Sequence, residues 1–338
     1  MPVRPGLGPT HRRGRLSGAP LKPRLVADIG GTNVRFALVA DAAPGDAGVL
    51  STADFPDVTA AAEDYLSRTG GARPTVACFA VACPVGGDRV VLTNSPWSFS
   101  IEAVRRRLGL ERLLVVNDFK ALGAAVPLLR ADERARIGGR DPVAGRPAAL
   151  LGPGTGLGVA ALVPCGDDIE VVEGEGGHIG FAPADEREIE LLRLLARRYG
   201  RVSAERVLSG PGLVAVHEAL ATLRGVTAER LDAAQIVERG RAGTDALCRE
   251  TLDLFCAALG TVAGDLALLF GAHGGVFIGG GIAPRIVELL AHSDFRRRFE
   301  DKGRVAGFIA DVPAFVITAE MPALSGAAAL LARALGPG

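Results

Sequence analysis

Apolar residues first gather at Leu25, where LVADIGGTNVRFALVA sets two apolar runs on either side of a glycine turn, the pattern of a β-hairpin. The pattern returns at residues 148–163, AALLGPGTGLGVAALV, around a turn that again holds Gly and Thr, so two similar halves are expected. Between them TVACFAVACPV, at 75–85, reads as a strand, and ERLLVVNDF followed by KALGAAVPLL reads as a strand running into a helix. Helical spacing marks 186–199, 211–223, 228–239 and 244–270. In the last of these Leu247, Leu252, Phe255, Leu259 and Val262 recur at core-facing intervals, which packing alone explains. GGVFIGGGIAPRIVELL reads as strand, glycine turn and helix, and AFVITAE with SGAAALLARAL repeats that order. Strands alternating with helices predict an α/β architecture. The stretch 130–147, rich in charge, Gly and Pro, reads as a connection between lobes, with a domain boundary near its start.

A chain of 338 residues is longer than one core comfortably serves, which favours two lobes and a cleft between them. With 48% hydrophobic and 22% charged residues, the composition is that of a folded globular protein. The 38 basic and 38 acidic residues cancel, leaving no overall field to attract nucleic acid or an anionic membrane. No apolar run approaches the roughly 18 residues of a membrane span, so a soluble, cytoplasmic protein is expected. Cys78, Cys83, Cys165, Cys248 and Cys256 show no metal-ligand spacing and read as buried free thiols of a reducing compartment. Residues 1–24 carry six basic residues and no acidic one, without the apolar core of a secretion signal. They fit a disordered arm, an upstream start codon or a transit peptide.

Candidate chemistry sits in the turns. In DIGGTNVR two glycines let backbone N–H groups approach an anion, Thr32 adds a hydroxyl, and Asp28 could hold a magnesium ion through water. GPGTGLG, at 152–158, is a second turn of this kind, and two such turns can grip one polyphosphate from both lobes. It does not open a helix, which excludes a dinucleotide fingerprint, and there is no G-x-x-x-x-G-K-[ST] loop. GGVFIGGGIAP offers either a flat backbone surface for a nucleoside or a packing turn. Asn117 and Asp118 follow an apolar strand, where Asp118 could orient a hydroxyl and take its proton. Glu175 and His178, in EGEGGHIGF, could converge on the vicinal hydroxyls of a small polyol. Glu205, in SAERVLSG, makes a weaker candidate, because a glutamate on a short helix is usually solvated.

Taken in order, DIGGTNVR, TNSPW, NDF, GPGTGLG, EGEGGHIGF, SAERVLSGPGL and GGVFIGGGIAPR resemble the bacterial glucokinases that lack a zinc site, over residues 25–335. The resemblance implies a two-lobed actin-like, ribonuclease H-like ATPase fold: residues 1–24 as a basic arm, 25–128 plus 322–338 as a small lobe, and 129–321 as a large one. It implies ATP, Mg2+ and glucose as cofactor and substrates, and a homodimer. Asp118 would be the catalytic base; Asn117, Glu175, His178 and Glu205 would bind the sugar. Asp28 would assist the metal, while Gly30, Gly31, Thr32 and Asn33 with Gly154, Thr155 and Gly156 would hold phosphates. Gly279, Gly280 and Gly281 would lie near the nucleoside. Asn94 and Trp97 match a family segment and could either touch sugar or only pack. The ROK family of sugar kinases and repressors carries a cysteine-rich zinc motif; no cysteine lies near Glu175 and His178, so neither ROK membership nor a structural zinc is expected. A broader hexokinase, a sugar-binding regulator and a same-fold phosphatase or chaperone remain as rival readings.

Overall fold

Each of the two glycine hairpins begins a mixed sheet. The computed structural model describes residues 23–40, 43–70, 73–93, 95–166 and 168–336. The first half runs β1 (Arg24–Ile29), β2 (Asn33–Val39), β3 (Gly48–Ser51), α1 (Val58–Arg68), β4 (Val76–Val81), a small ribbon of β5 (Arg89–Val91) and β6 (Ser98–Ser100), α2 (Ile101–Arg107), β7 (Arg112–Asn117) and α3 (Asp118–Ala125). The second runs β8 (Arg134–Gly138), β9 (Ala148–Pro153), β10 (Leu157–Cys165), β11 (Asp168–Gly174), α4 (Glu186–Tyr199), α5 (Gly210–Leu223), α6 (Ala233–Ala242) and α7 (Ala246–Phe270). It continues through β12 (Val276–Ile278), the short helices α8 (Val287–His292), α9 (Phe295–Glu300) and α10 (Ala306–Ile309), β13 (Ala314–Ile317) and α11 (Pro322–Leu335).

The strand orders are β3-β2-β1-β4-β7 and β11-β10-β9-β12-β13-β8. In both, an antiparallel meander of three strands is followed by two strands parallel to the first. Leaving out β8 at the edge, the two halves repeat one topology, as the two similar hairpins predict. The α/β class is therefore observed.

Four expectations need correction, the last of them among the cysteines. Residues 130–147 are not only a connection, because β8 lies within them and pairs antiparallel with β13. Its charges are tolerated because the guanidinium groups of Arg134 and Arg136 sit 4.9 and 5.4 Å from the centre of the Phe315 ring. Helix α6 starts at Ala233 rather than 228, since Asp232 accepts from Gln235 N while Gln235 Oε1 accepts from Asp232 N, a reciprocal cap that fixes the first turn. Helix α7 is long and apolar enough, by length and composition, to cross a membrane, contrary to the sequence reading; most of it is buried as the core helix of the second half.

Of the five cysteines, Cys78, Cys83, Cys248 and Cys256 are buried as expected, but Cys165, at the exposed end of β10, is not. Burial pushes the thiols of Cys78 and Cys256 up to about 12, so neither ionises near neutral pH.

Helix α3 joins the two sheets. The C-terminal helix α11 lays Leu324, Ala327 and Leu331 against Val26, Cys78 and Val116 of the first sheet. It crosses α3 so closely that a Cβ at Gly326 would lie 1.7 Å from the Ala121 carbonyl oxygen. The other side of α3 meets β10 and β11, where Lys120 Nζ lies 3.7 Å from Glu170 and 3.8 Å from Glu173.

Candidate active site

Strands β1, β4 and β7 end together, with Ile29 opposite Val81 and Val81 opposite Asn117. Asp28, Asn117 and Asp118 therefore share the carboxyl edge of a parallel array, where open α/β sheets bind ligands. Asn117 caps α3: its Oδ1 accepts from Phe119 N at 2.9 Å and Lys120 N at 3.4 Å, while its Nδ2 donates to the Cys83 carbonyl at 3.3 Å. Asp118 is the first residue of the helix and accepts from Phe119 N at 2.9 Å. Burial, with the nearby negative charge of Asp28 adding to it, pushes Asp118 up to about 6, against the backbone N–H bond that favours its charged form. Burial also raises Asp28, although Arg35 Nη1 donates to its Oδ2 at 3.0 Å and opposes the shift.

The first glycine turn is braced from behind. Gly30 N donates to Asn33 O at 3.0 Å, Thr52 Oγ1 to Gly31 O at 2.8 Å, and Thr52 N to Thr32 O at 2.9 Å. Thr32 is exposed, and the N–H groups of Gly31 and Thr32 have no partner among the described residues. In the second turn Gly154 N donates to Gly156 O and Gly210 N to Gly154 O, both at 2.8 Å. Thr155 is exposed, and the N–H groups of Thr155 and Gly156 are likewise unpartnered among the described residues. Both turns thus offer free donors at their tips, the arrangement an anion needs.

The third glycine string lies beside the second turn. Gly279 N donates to Leu151 O at 2.8 Å, and a Cβ at Gly154 would sit 3.8 Å from Gly281 N. Its three glycines differ. Gly279 leaves room for Leu122 of α3, Gly280 has φ +79° and fits against Pro153 O, and Gly281 faces open space. The backbone requires the second, no contact constrains the third, and the first seats a side chain.

Glu175 and His178 flank a single 3₁₀ turn, both exposed, with His178 Nε2 3.8 Å from Glu175 Oε2. Glu205 lies on another such turn, Ala204–Arg206, tied to the first by Ala204 N donating to Ile179 O at 2.8 Å and Arg201 Nη2 to His178 O at 2.6 Å. One Glu205 oxygen already accepts from Leu157 N at 2.9 Å. The start of β10 is the hub. A Cβ at Gly177 would meet Leu157 O at 2.0 Å, one at Gly176 would meet Val159 at 2.7 Å, and one at Gly158 would meet Phe119 at 2.0 Å. One strand end therefore touches the Glu175–His178 turn, the Glu205 turn and the residue next to Asp118.

Sequence reasoning missed Arg35, Thr52 and Phe119. Arg35 was within reach, because the hairpin register alone puts it opposite Asp28. Thr52 lies beyond the hairpin on the chain, and nothing local announces its bonds to the turn. Trp97 packs: it is 2% exposed and its Nε1 donates to Phe55 O at 3.1 Å. Asn94 lies outside the described residues.

A family model described as glucokinase matches residues 25–334. The glucokinase of Chromobacterium violaceum is 51% identical over 93% of this chain and 91% of its own length. The crystal structure of a glucokinase from an Antarctic psychrotroph superposes with a TM-score of 0.82 at 40% identity, covering 92% of this chain and 99% of that one. The fold is shared with the glucose complex of Balamuthia mandrillaris glucokinase, with a TM-score of 0.79 at 21% identity over 94% of this chain and 95% of that one. A match along nearly the whole chain, in family model, sequence and fold alike, leaves one conclusion: this chain belongs to the glucokinase family, whose members are ATP-dependent hexose kinases.

Proposed function

We propose that this protein transfers the terminal phosphate of ATP to the 6-hydroxyl of glucose, with Asp118 as the general base. The observation that carries this reading is the half-buried Asp118 carboxylate, held at about 6 at the mouth of the first sheet and one residue away from the side chain that meets β10. A base of that strength is ionised at neutral pH yet poised to accept a proton as the hydroxyl attacks. Asn117, Glu175, His178 and Glu205 hold the sugar hydroxyls by donating and accepting hydrogen bonds. Glu205 keeps one oxygen on Leu157 N and offers the sugar the other.

Gly31 and Thr32 grip the phosphates from one side, in a turn closed by Gly30 N on Asn33 O, and Thr155 and Gly156 grip them from the other, in a turn closed by Gly154 N on Gly156 O. Gly280 and Gly281 border the nucleoside, with Gly279 supporting them. Asp28 and Asp118 are half-buried carboxylates, and the charge of the first raises the second, a setting that suits a divalent cation; Asp28 would hold magnesium through water. When bound, that ion supplies neutralisation of phosphate charge. Residues 25–128 with 322–338 form the small lobe and 129–321 the large one, and their closure excludes water that would otherwise consume ATP. The enzyme works in the cytoplasm as a homodimer, which sedimentation in solution checks.

Asp118→Asn tests the assignment. Calorimetry is expected to show glucose binding retained while turnover falls by about 10² to 10⁴. Near-normal turnover in this variant rules the assignment out.

A further inference from the structure

Two parts of the motifs hold no substrate in the proposed reaction: the phenylalanine of NDF, and the first and last glycines of GPGTGLG. Gly152 and Gly158 face each other across the β9–β10 hairpin. The Phe119 ring fills the space their missing side chains leave. A Cβ at Gly158 would lie 2.0 Å from its Cε2, and a Cβ at Gly152 would lie 2.7 Å from its Cζ. The ring also packs against the buried face of the second sheet around Leu150 and Phe277. Further along α3, Leu122 takes the space at Gly279 and Gly123 admits Val171, each with 2.7 Å to the missing Cβ. At each of these places one added methyl group would force the facing side chain, or α3 itself, to shift.

We infer that Phe119 is a positioning residue, whose ring, keyed into the Gly152–Gly158 notch, sets the distance between Asp118 and the phosphate turn at Thr155. The inference rests on the reading of Asp118 as base. Asp118 belongs to the helix that ends the first sheet, and Thr155 to the hairpin that opens the second. Reacting groups must come within about 3–3.5 Å in the attack geometry, and a shift of about 1 Å can cost on the order of 10²-fold in rate. A flat ring wedged between two backbones has little room to slide, because interiors are close-packed and resist small displacements. Gly152 and Gly158 are two residues from Gly154 and Gly156, and Phe119 is adjacent to Asp118, so the contact is a short route between the two subsites.

The test measures steady-state kinetics, glucose calorimetry and thermal unfolding on the full chain for F119L, F119A, G158A and F119A/G158A, with D118N in parallel. F119A and G158A are each expected to lose about 10²-fold in kcat while glucose affinity stays within about threefold. F119L, which still fills most of the notch, is expected to recover most of the lost rate. The double variant is expected to be no slower than the slower single one, because the new methyl enters the space the ring has left. A folded F119A with kcat within about twofold of the parent overturns the inference, as do losses that multiply in the double variant. If F119A does not fold, F119L against F119L/G158A makes the same comparison, and an unaffected F119L/G158A or multiplying losses overturn the inference there too. An inactive D118N beside an unaffected F119A sinks this inference alone; a D118N that keeps its turnover sinks the base assignment and this inference with it.

Discussion

The two halves of the molecule share a topology but use the same rung of their opening hairpins for opposite ends. Counting from the glycine turn, the second cross-strand pair is Asp28 with Arg35 in the first half and Gly152 with Gly158 in the second. In the first, that rung carries a charge pair at the edge where Asp118 sits. In the second it is emptied of side chains and receives the Phe119 ring from the neighbouring half. The turns beyond the rung remain alike, each with an exposed threonine and unpartnered N–H groups among the described residues. A repeated frame can thus keep a tip of free N–H donors twice while one copy takes on charge and the other becomes a socket.

The largest effect expected from breaking this comparison comes from the charged rung. Asp28→Asn removes the residue assigned to the metal, and kcat is expected to fall by about 10² or more, since metal-assisted charge stabilisation is worth several kcal/mol. Because the Asp28 charge is one cause of the raised Asp118 pKa, the residual activity of this variant is expected to persist to lower pH than in the parent. A pH–rate profile measures both effects.

The empty rung gives a smaller, structural effect. Gly152→Ala places a methyl 2.7 Å from Phe119 Cζ and 3.1 Å from Gly280 N, an overpacking expected to cost about 1–3 kcal/mol in unfolding free energy. Gly281→Ala meets open space, so its stability is expected to stay within about 0.5 kcal/mol while the KM for ATP rises. Denaturant unfolding and nucleotide kinetics on the pair separate a seat from a ligand surface. Equal destabilisation in both would erase the distinction drawn among the three glycines.

Much of this frame is legible in the chain because hairpins and amphipathic helices write their period into sequence. Both glycine hairpins, the strand into Asp118, helix α4 and the strand before α11 stand where alternation and helical spacing put them. What escapes has a common physical cause. Strand β8 carries arginines that are accommodated by stacking on Phe315, a residue far along the chain, so its local pattern resembles a linker. Apolar spacing starts helix α6 too early because it says nothing about Asp232, where capping begins the helix. In the candidate site, the residue types at Asp28, Asp118, Glu175 and His178 point to the chemistry proposed for them. The Glu205 bond to Leu157 N and the seat of Phe119 on Gly158 join residues whose partnership depends on distant segments meeting, and no local spacing encodes it.

The pH dependence of kcat/KM, for the parent enzyme and Asp118→Asn side by side, tests the central claim most directly. Asp118 must be ionised to accept the hydroxyl proton, and its burial beside Asp28 holds it at about 6, so parent activity should be full above that pH and fall tenfold per pH unit below it. The same limb should vanish from the residual activity of the variant. A parent profile that stays flat down to pH 5, or a variant that keeps the limb, would contradict the carboxylate at residue 118 as the group that takes the proton.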